Sequence, residues 1–230
     1  MASKHRPEDG LKELLQFIDS AKLDDGSLSL SDPKTKSMYK KFYALLVFDH
    51  ILQEKLTIED QKTYAREAIS DLSHGFFLTC IGLYKPARTS ARSGIENLAR
   101  LFLLYRGVDA TKITSVYELF DSLNEIVSGE QLKRVGSLRS LYKELCKTVH
   151  STSAEYMNLE VPFNTMLRFD EDKFSLNREV VYNACKIAGD IMFIEFDSFI
   201  QVAHHSQRDL LSDGVSKTVR REARVGRETE

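Results

Sequence analysis

His150 closes a run of residues patterned as a helix, and the residues before it suit proton transfer and phosphate binding. Lys147 lies three positions earlier, Cys146 four and Lys143 seven. At helical periodicity these spacings put all four on one side. An imidazole titrates near neutral pH and can move protons, and neighbouring lysines favour its neutral form. Such a cluster could activate a ribose 2′-hydroxyl and hold the scissile phosphate without a metal. The plainer reading is a histidine at a helix C-terminus, favoured there by the helix dipole.

A second set precedes it. Arg88, Arg92 and Glu96 follow one another at spacings of four. A helical wheel places Arg88 inside the apolar sector and Arg92 and Glu96 on its border. An Arg92–Glu96 pair at that border would order the bundle, or it would position a phosphate or the histidine beside it. Charge is also uneven. Over residues 85–106, Lys85, Arg88, Arg92, Arg100 and Arg106 stand against Glu96, a net of +4. Over residues 130–150, Lys133, Arg134, Arg139, Lys143 and Lys147 stand against Glu130 and Glu144, a net of +3. The whole chain is −2, so the remainder carries −9. If the two helices are neighbours, they form a basic face on an acidic body, the footprint of a phosphate-backbone binder. Arg88, Arg139 and Lys147 are then the candidate nucleic-acid contacts. The alternative is a set of solvated charges.

Several chemistries have no motif here. The chain holds no GxxxxGK[ST] or GxGxxG phosphate loop, no HExxH, HxH or CxxC metal spacing, no GxSxG elbow and no ExxH di-iron signature. No cofactor and no metal site are expected. His205 and Asp209, four apart near His204, could share a metal, or they are polar residues at a helix end.

The elements that must position these residues read as helices. Apolar residues recur at helical spacing over 8–22, 36–54, 58–83, 87–106, 113–127, 130–150 and 176–206. Asp32–Pro33 is a helix start, Thr57 and Asp60 form an imperfect capping box, and Gly107 is a helix stop. Val135, Leu138, Tyr142, Leu145 and Val149 form a heptad-like seam. Residues 151–175 read as an irregular excursion. The last long helix is apolar round most of its circumference, so it is either central or half of an oligomer interface. The tail from Gly214 has little apolar content and reads as disordered and basic. The expected fold is all-α, an antiparallel bundle of about six helices forming one domain over 1–213, with 214–230 as the tail.

With 42% hydrophobic and 29% charged residues over 230 positions, the chain is globular and long enough to bury a core. Cys80, Cys146 and Cys185 are far apart, which points to free thiols in a reducing compartment and a cytoplasmic location. MASKHRPEDG lacks the apolar run of a signal peptide, and the longest apolar stretch, 187–203, is broken by Asp190, Glu195 and Asp197. No membrane partner is expected.

The segments KPARTSARSGIENLARLFLLYRG and LRSLYKELCKTVHSTS resemble the HEPN-like superfamily, helical bundles found in toxin–antitoxin and phage-defence systems. The resemblance covers residues 60–150 best. Active members are metal-independent RNases that use an Arg followed four to six residues later by a His, usually paired across a dimer. The resemblance implies that His150 is the acid/base, with Lys143, Arg92 and Glu96 completing the catalytic set. The positions where the Arg should stand hold Leu145, Glu144 and Lys143. Lys143 keeps the charge without the bidentate fork, so Arg92 or Arg139 would have to substitute in space. Other members are non-catalytic modules. Two functions follow as expectations. One is an RNA-binding or RNA-cleaving homodimer in a bacterial defence or stress system. The other is a non-catalytic interaction or dimerisation module that regulates a partner protein from the same operon.

Overall fold

The computed structural model describes residues 7–20, 32–149 and 170–228. These form ten α-helices and one 3-10 turn, with no strand among the described residues. The helices are α1 (Pro7–Ser20), α2 (Pro33–Lys55), α3 (Glu59–Cys80), α4 (Tyr84–Tyr105), α5 (Val116–Ile126), α6 (Gly129–Val149), α7 (Glu171–Glu195), α8 (Asp197–Gln201), α9 (His205–Gly214) and α10 (Lys217–Glu228). The all-α class expected from periodicity is what the chain adopts, divided into more helices than about six.

Local chemistry sets the boundaries. The Asp32 side chain accepts from the N–H groups of Lys34 and Thr35, and Pro33 fills the first helical position, so α2 begins where the Asp–Pro pair predicts. Thr57 and Asp60 do not form the expected box: Ile58 occupies the cap of α3 without a side-chain bond. Helix α4 ends in a Schellman motif. Gly107 takes φ +83°, its N–H donates to the Leu104 carbonyl, and the Val108 N–H donates to that of Leu103. Gly82 (φ 80°) closes α3 in the same way, and the reversal there folds α3 and α4 into a hairpin.

That hairpin runs antiparallel, because Gln61 reaches the Leu104 carbonyl while Ser90 reaches that of Asp71. Small residues bring the backbones together. A Cβ on Gly94 would lie 2.9 Å from Leu72 Cγ and 3.0 Å from the Ala68 carbonyl oxygen. The seam on α6 is also as the spacing predicts, with Val135, Leu138, Tyr142 and Leu145 all buried.

Helix α7 is central: α2, α3, α4, α6, α8, α9 and α10 all pack on it. Most of its apolar circumference is covered within the chain, which is the central position the sequence offered as one of its two alternatives, while Leu176 remains 61% exposed. Each fully buried Leu, Ile or Phe in this core contributes about 1.5–3 kcal/mol. The expected continuous helix 176–206 is broken. Phe196 ends α7, and residues 202–204 separate α8 from α9.

The tail also differs from expectation. Residues 217–228 are helical, with Val219 fully buried and Ala223 at 9% exposure. Two contacts fix it there. Asp190 on α7, itself buried, accepts from the Ser216 N–H at 2.7 Å and from the Ser216 hydroxyl, which holds the start of α10. Arg134 on α6 makes a two-pronged bond to Glu222 at 2.6 and 2.8 Å. A two-residue apolar stripe suffices for this helix because one ion pair and the bonds to Asp190 carry its flank. The expected excursion over 151–175 lies outside the described residues except for its end, where Asp170 caps α7.

Candidate functional site at the junction of the basic helices

Helices α4 and α6 pack directly on each other, so the geometric condition for a joint basic face is met. The side chains then decide what that face is. Arg88 turns inward. Its Nε donates to Asn177 Oδ1 at 3.1 Å and its NH1 to Thr148 Oγ1 at 2.8 Å. Asn177 in turn donates to Thr79 Oγ1 at 2.6 Å, and the Thr79 hydroxyl donates to the Gly75 carbonyl at 2.7 Å. This chain of bonds joins α4, α6, α7 and α3 through buried Thr79, Asn177 and Thr148. A satisfied polar network of this kind fixes helix register, and each member needs the others.

Arg92 is half-buried on the same α4–α6 seam. Its Nε donates to Cys146 Sγ at 3.4 Å, and its guanidinium sits over the Tyr142 ring at 5.2 Å. A cation over an aromatic face at this range is worth about 0.5–1 kcal/mol. Burial pushes the Tyr142 hydroxyl up to about 12; the Arg92 charge opposes that rise, and Cys146 and Glu96 add to it. The tyrosine is therefore neutral throughout the physiological range.

Glu96 does not pair with Arg92. Its carboxylate takes Arg100 at 3.2 Å, one turn on, and Arg100 also donates to the carbonyls of Ala110 and Ile113 at 2.8 Å each. The Arg92–Glu96 pair read from the spacing is therefore replaced by Arg100–Glu96. The reason is that Arg100 has two further acceptors at the 3-10 turn (Ala110–Lys112), which draw it to that side.

Most of the remaining cations are similarly engaged. Arg106 binds Glu195 at 2.8 Å, and Gln131 donates to the other oxygen of that buried carboxylate at 3.0 Å. Arg139 binds Asp121 at 2.7 Å, Lys133 binds Glu130, and Lys147 binds Glu144 at 3.4 Å. Lys143 is exposed on α6. His150 lies outside the described residues.

The structure thus brings Arg92, Glu96, Tyr142 and Cys146 to one seam. It places Arg88 and Arg139 in bonds within the chain, and it leaves Lys143 and Lys147 on the outer side of α6. Sequence reasoning missed Asn177, Thr79 and Thr148. The available signal was Asn177 itself, an amide inside the apolar stripe of α7.

Two other readings are corrected. His204 and His205 stand at the start of α9 rather than at the end of a long helix; His204 caps it, accepting from the Ser206 N–H. Among the described residues no group of three or more His, Cys, Asp or Glu could hold a metal, so His205 and Asp209 gain no further ligand there. Nor is any described helix long and apolar enough to cross a membrane. No protein-family model, curated protein or solved structure matches the chain.

Proposed function

We propose that this chain is a non-catalytic helical interaction module, a HEPN-like bundle that regulates a partner protein. The observation that supports this is the use of the arginines. Arg88, Arg92, Arg100 and Arg139, the groups that would hold a phosphate, are bonded to Asn177 and Thr148, to Cys146, to Glu96, and to Asp121. Freeing Arg88 for a ligand would strand Asn177 and Thr148, which costs about 1–3 kcal/mol for each such buried group. A catalytic site built on Arg88 would have to break the network that joins α3, α4, α6 and α7.

The test is co-expression of the chain with the products of adjacent genes, followed by size-exclusion chromatography and light scattering. The proposal expects a stoichiometric complex that survives 0.5 M salt, a choice of about five times the ionic strength at which surface charges are already screened beyond 10 Å. A chain that elutes alone with every neighbour would contradict it.

A second reading keeps RNA as the partner. One observation favours it: Lys143 is exposed and Lys147 is 48% exposed, one turn apart on α6 and leading toward His150 in sequence. That reading expects RNA binding that weakens steeply with salt.

A further inference from the structure

Every described arginine from Arg66 to Arg178 holds a partner within the chain. Arg66 faces Asp49, Arg88 binds Asn177, Arg92 binds Cys146, and Arg100 binds Glu96. Arg106 binds Glu195, Arg134 binds Glu222, Arg139 binds Asp121, and Arg178 binds Asp32. The pattern stops at the C-terminal helices. Among the described residues, Arg208 on α9 and Arg220 on α10 make no ion pair and no side-chain hydrogen bond. Both line one cleft of about 220 Å³.

The rest of that cleft has a consistent chemistry. His205 and Ser212 of α9 add an imidazole and a hydroxyl, Gln201 of α8 an amide, and Phe193 of α7 with Ile200 of α8 give it apolar walls. Asp209 also lines it, but it forms no ion pair with either arginine. Two guanidiniums against the single Asp209 carboxylate leave the cleft with a net positive charge. An anion there would balance that charge and gain charge-assisted bonds, which are roughly twice as strong as neutral ones. Planar guanidinium forks match phosphate oxygens, and the apolar walls suit a ring or alkyl body.

We infer that the cleft between α7, α8, α9 and α10 binds a small phosphate monoester, its phosphoryl group between Arg208 and Arg220 and its organic body against Phe193 and Ile200. The site is separate from the α4–α6 seam and does not rest on the interaction-module reading. Its position gives it a consequence. The ligand would tie α9 to α10, helices otherwise held to the rest of the bundle by the Lys41 bond from α2 to the Gly214 carbonyl at 2.6 Å, the Asp190–Ser216 bonds and the Arg134–Glu222 pair.

The experiment is titration of the full chain with inorganic phosphate and with phenyl phosphate, by calorimetry and by thermal shift, with sodium chloride matching ionic strength. Saturable binding of both is expected, phenyl phosphate the tighter. Arg208→Ala, an exposed position, should weaken it by about tenfold, the effect of one lost charge-assisted contact of roughly 1.4 kcal/mol. Arg220→Gln should do likewise. If that variant fails to fold, Arg208→Ala alone decides. Phosphate that does no more than chloride, or an Arg208→Ala protein that binds as wild type does, overturns the inference. Binding of phosphate with no gain from the phenyl group would overturn the assignment of the apolar walls.

Discussion

Arg88 and Asn177 lie 89 residues apart in the chain and meet at 3.1 Å, guanidinium Nε to amide oxygen, where α4 crosses α7. The same guanidinium holds Thr148 on α6, so one side chain ties three helices. Arg88→Ala leaves Asn177 and Thr148 short of a donor in a buried setting. The expected loss is about 2 kcal/mol in urea unfolding, within the range for bonds to charged groups. Lys143→Ala, on the exposed side of α6, should stay within about 0.5 kcal/mol of wild type. Equal effects of the two substitutions would contradict the structural assignment of Arg88.

A pair of glycines tests the packing of the α3–α4 hairpin. Gly94→Ala forces a Cβ to 2.9 Å from Leu72 Cγ and 3.0 Å from the Ala68 carbonyl oxygen, so the helices must separate. It should destabilise by about 1–3 kcal/mol despite the better helix propensity of alanine. Gly136 lies inside α6 with nothing within 4 Å of an added Cβ. Gly136→Ala should therefore stabilise by about 1 kcal/mol. Thermal unfolding of both variants checks the opposite signs.

Much of this fold was legible in the sequence because helical periodicity reports burial directly. Val135, Leu138, Tyr142 and Leu145 line up every three or four residues and are buried, and Asp32–Pro33 caps α2 as its chemistry requires. The partners of the charged residues were not legible. Nothing local distinguishes Arg92 from Arg100 as the mate of Glu96; two carbonyls beyond Gly107 decide it. Likewise α10 looked too polar to fold, because the groups that hold it, Arg134 and Asp190, lie 88 and 26 residues away from their partners. Periodicity reads the faces of helices, and long-range pairing settles which charges remain available for function.

Asp190 is the second such anchor. Asp190→Ala removes both acceptors from Ser216, the residue that leads into α10. A lost hydrogen bond to a charged group costs about 1.5–3 kcal/mol. Local opening of α10 should then exceed global unfolding, and trypsin should cut at Lys217, Arg220 and Arg221 well before the rest of the chain. Digestion at the wild-type rate would show that the helix is held without this carboxylate.

Tyr142 gives a pH signature. Burial raises its hydroxyl to about 12 in the folded chain, whereas an unfolded tyrosine ionises near 10. The folded state thus keeps a proton that the unfolded state releases. The contribution is fully present below about pH 10 and is lost as pH rises toward about 12. Tyrosinate absorbance should show Tyr142 titrating late, with Tyr39, which burial also pushes up to about 12. Tyr142→Phe should remove one late-titrating group and flatten the alkaline fall in stability. An absorbance step unchanged by the substitution would contradict the burial of the hydroxyl.

The most direct test of the central claim, that the arginines hold the bundle together and do not cut a substrate, is a cleavage assay. Labelled RNA is incubated with the purified chain in the presence of a chelator, wild type beside His150→Ala. The account predicts intact RNA in both reactions, with both proteins folded by circular dichroism. Cleavage by wild type that His150→Ala abolishes would contradict it and make the chain a metal-independent RNase.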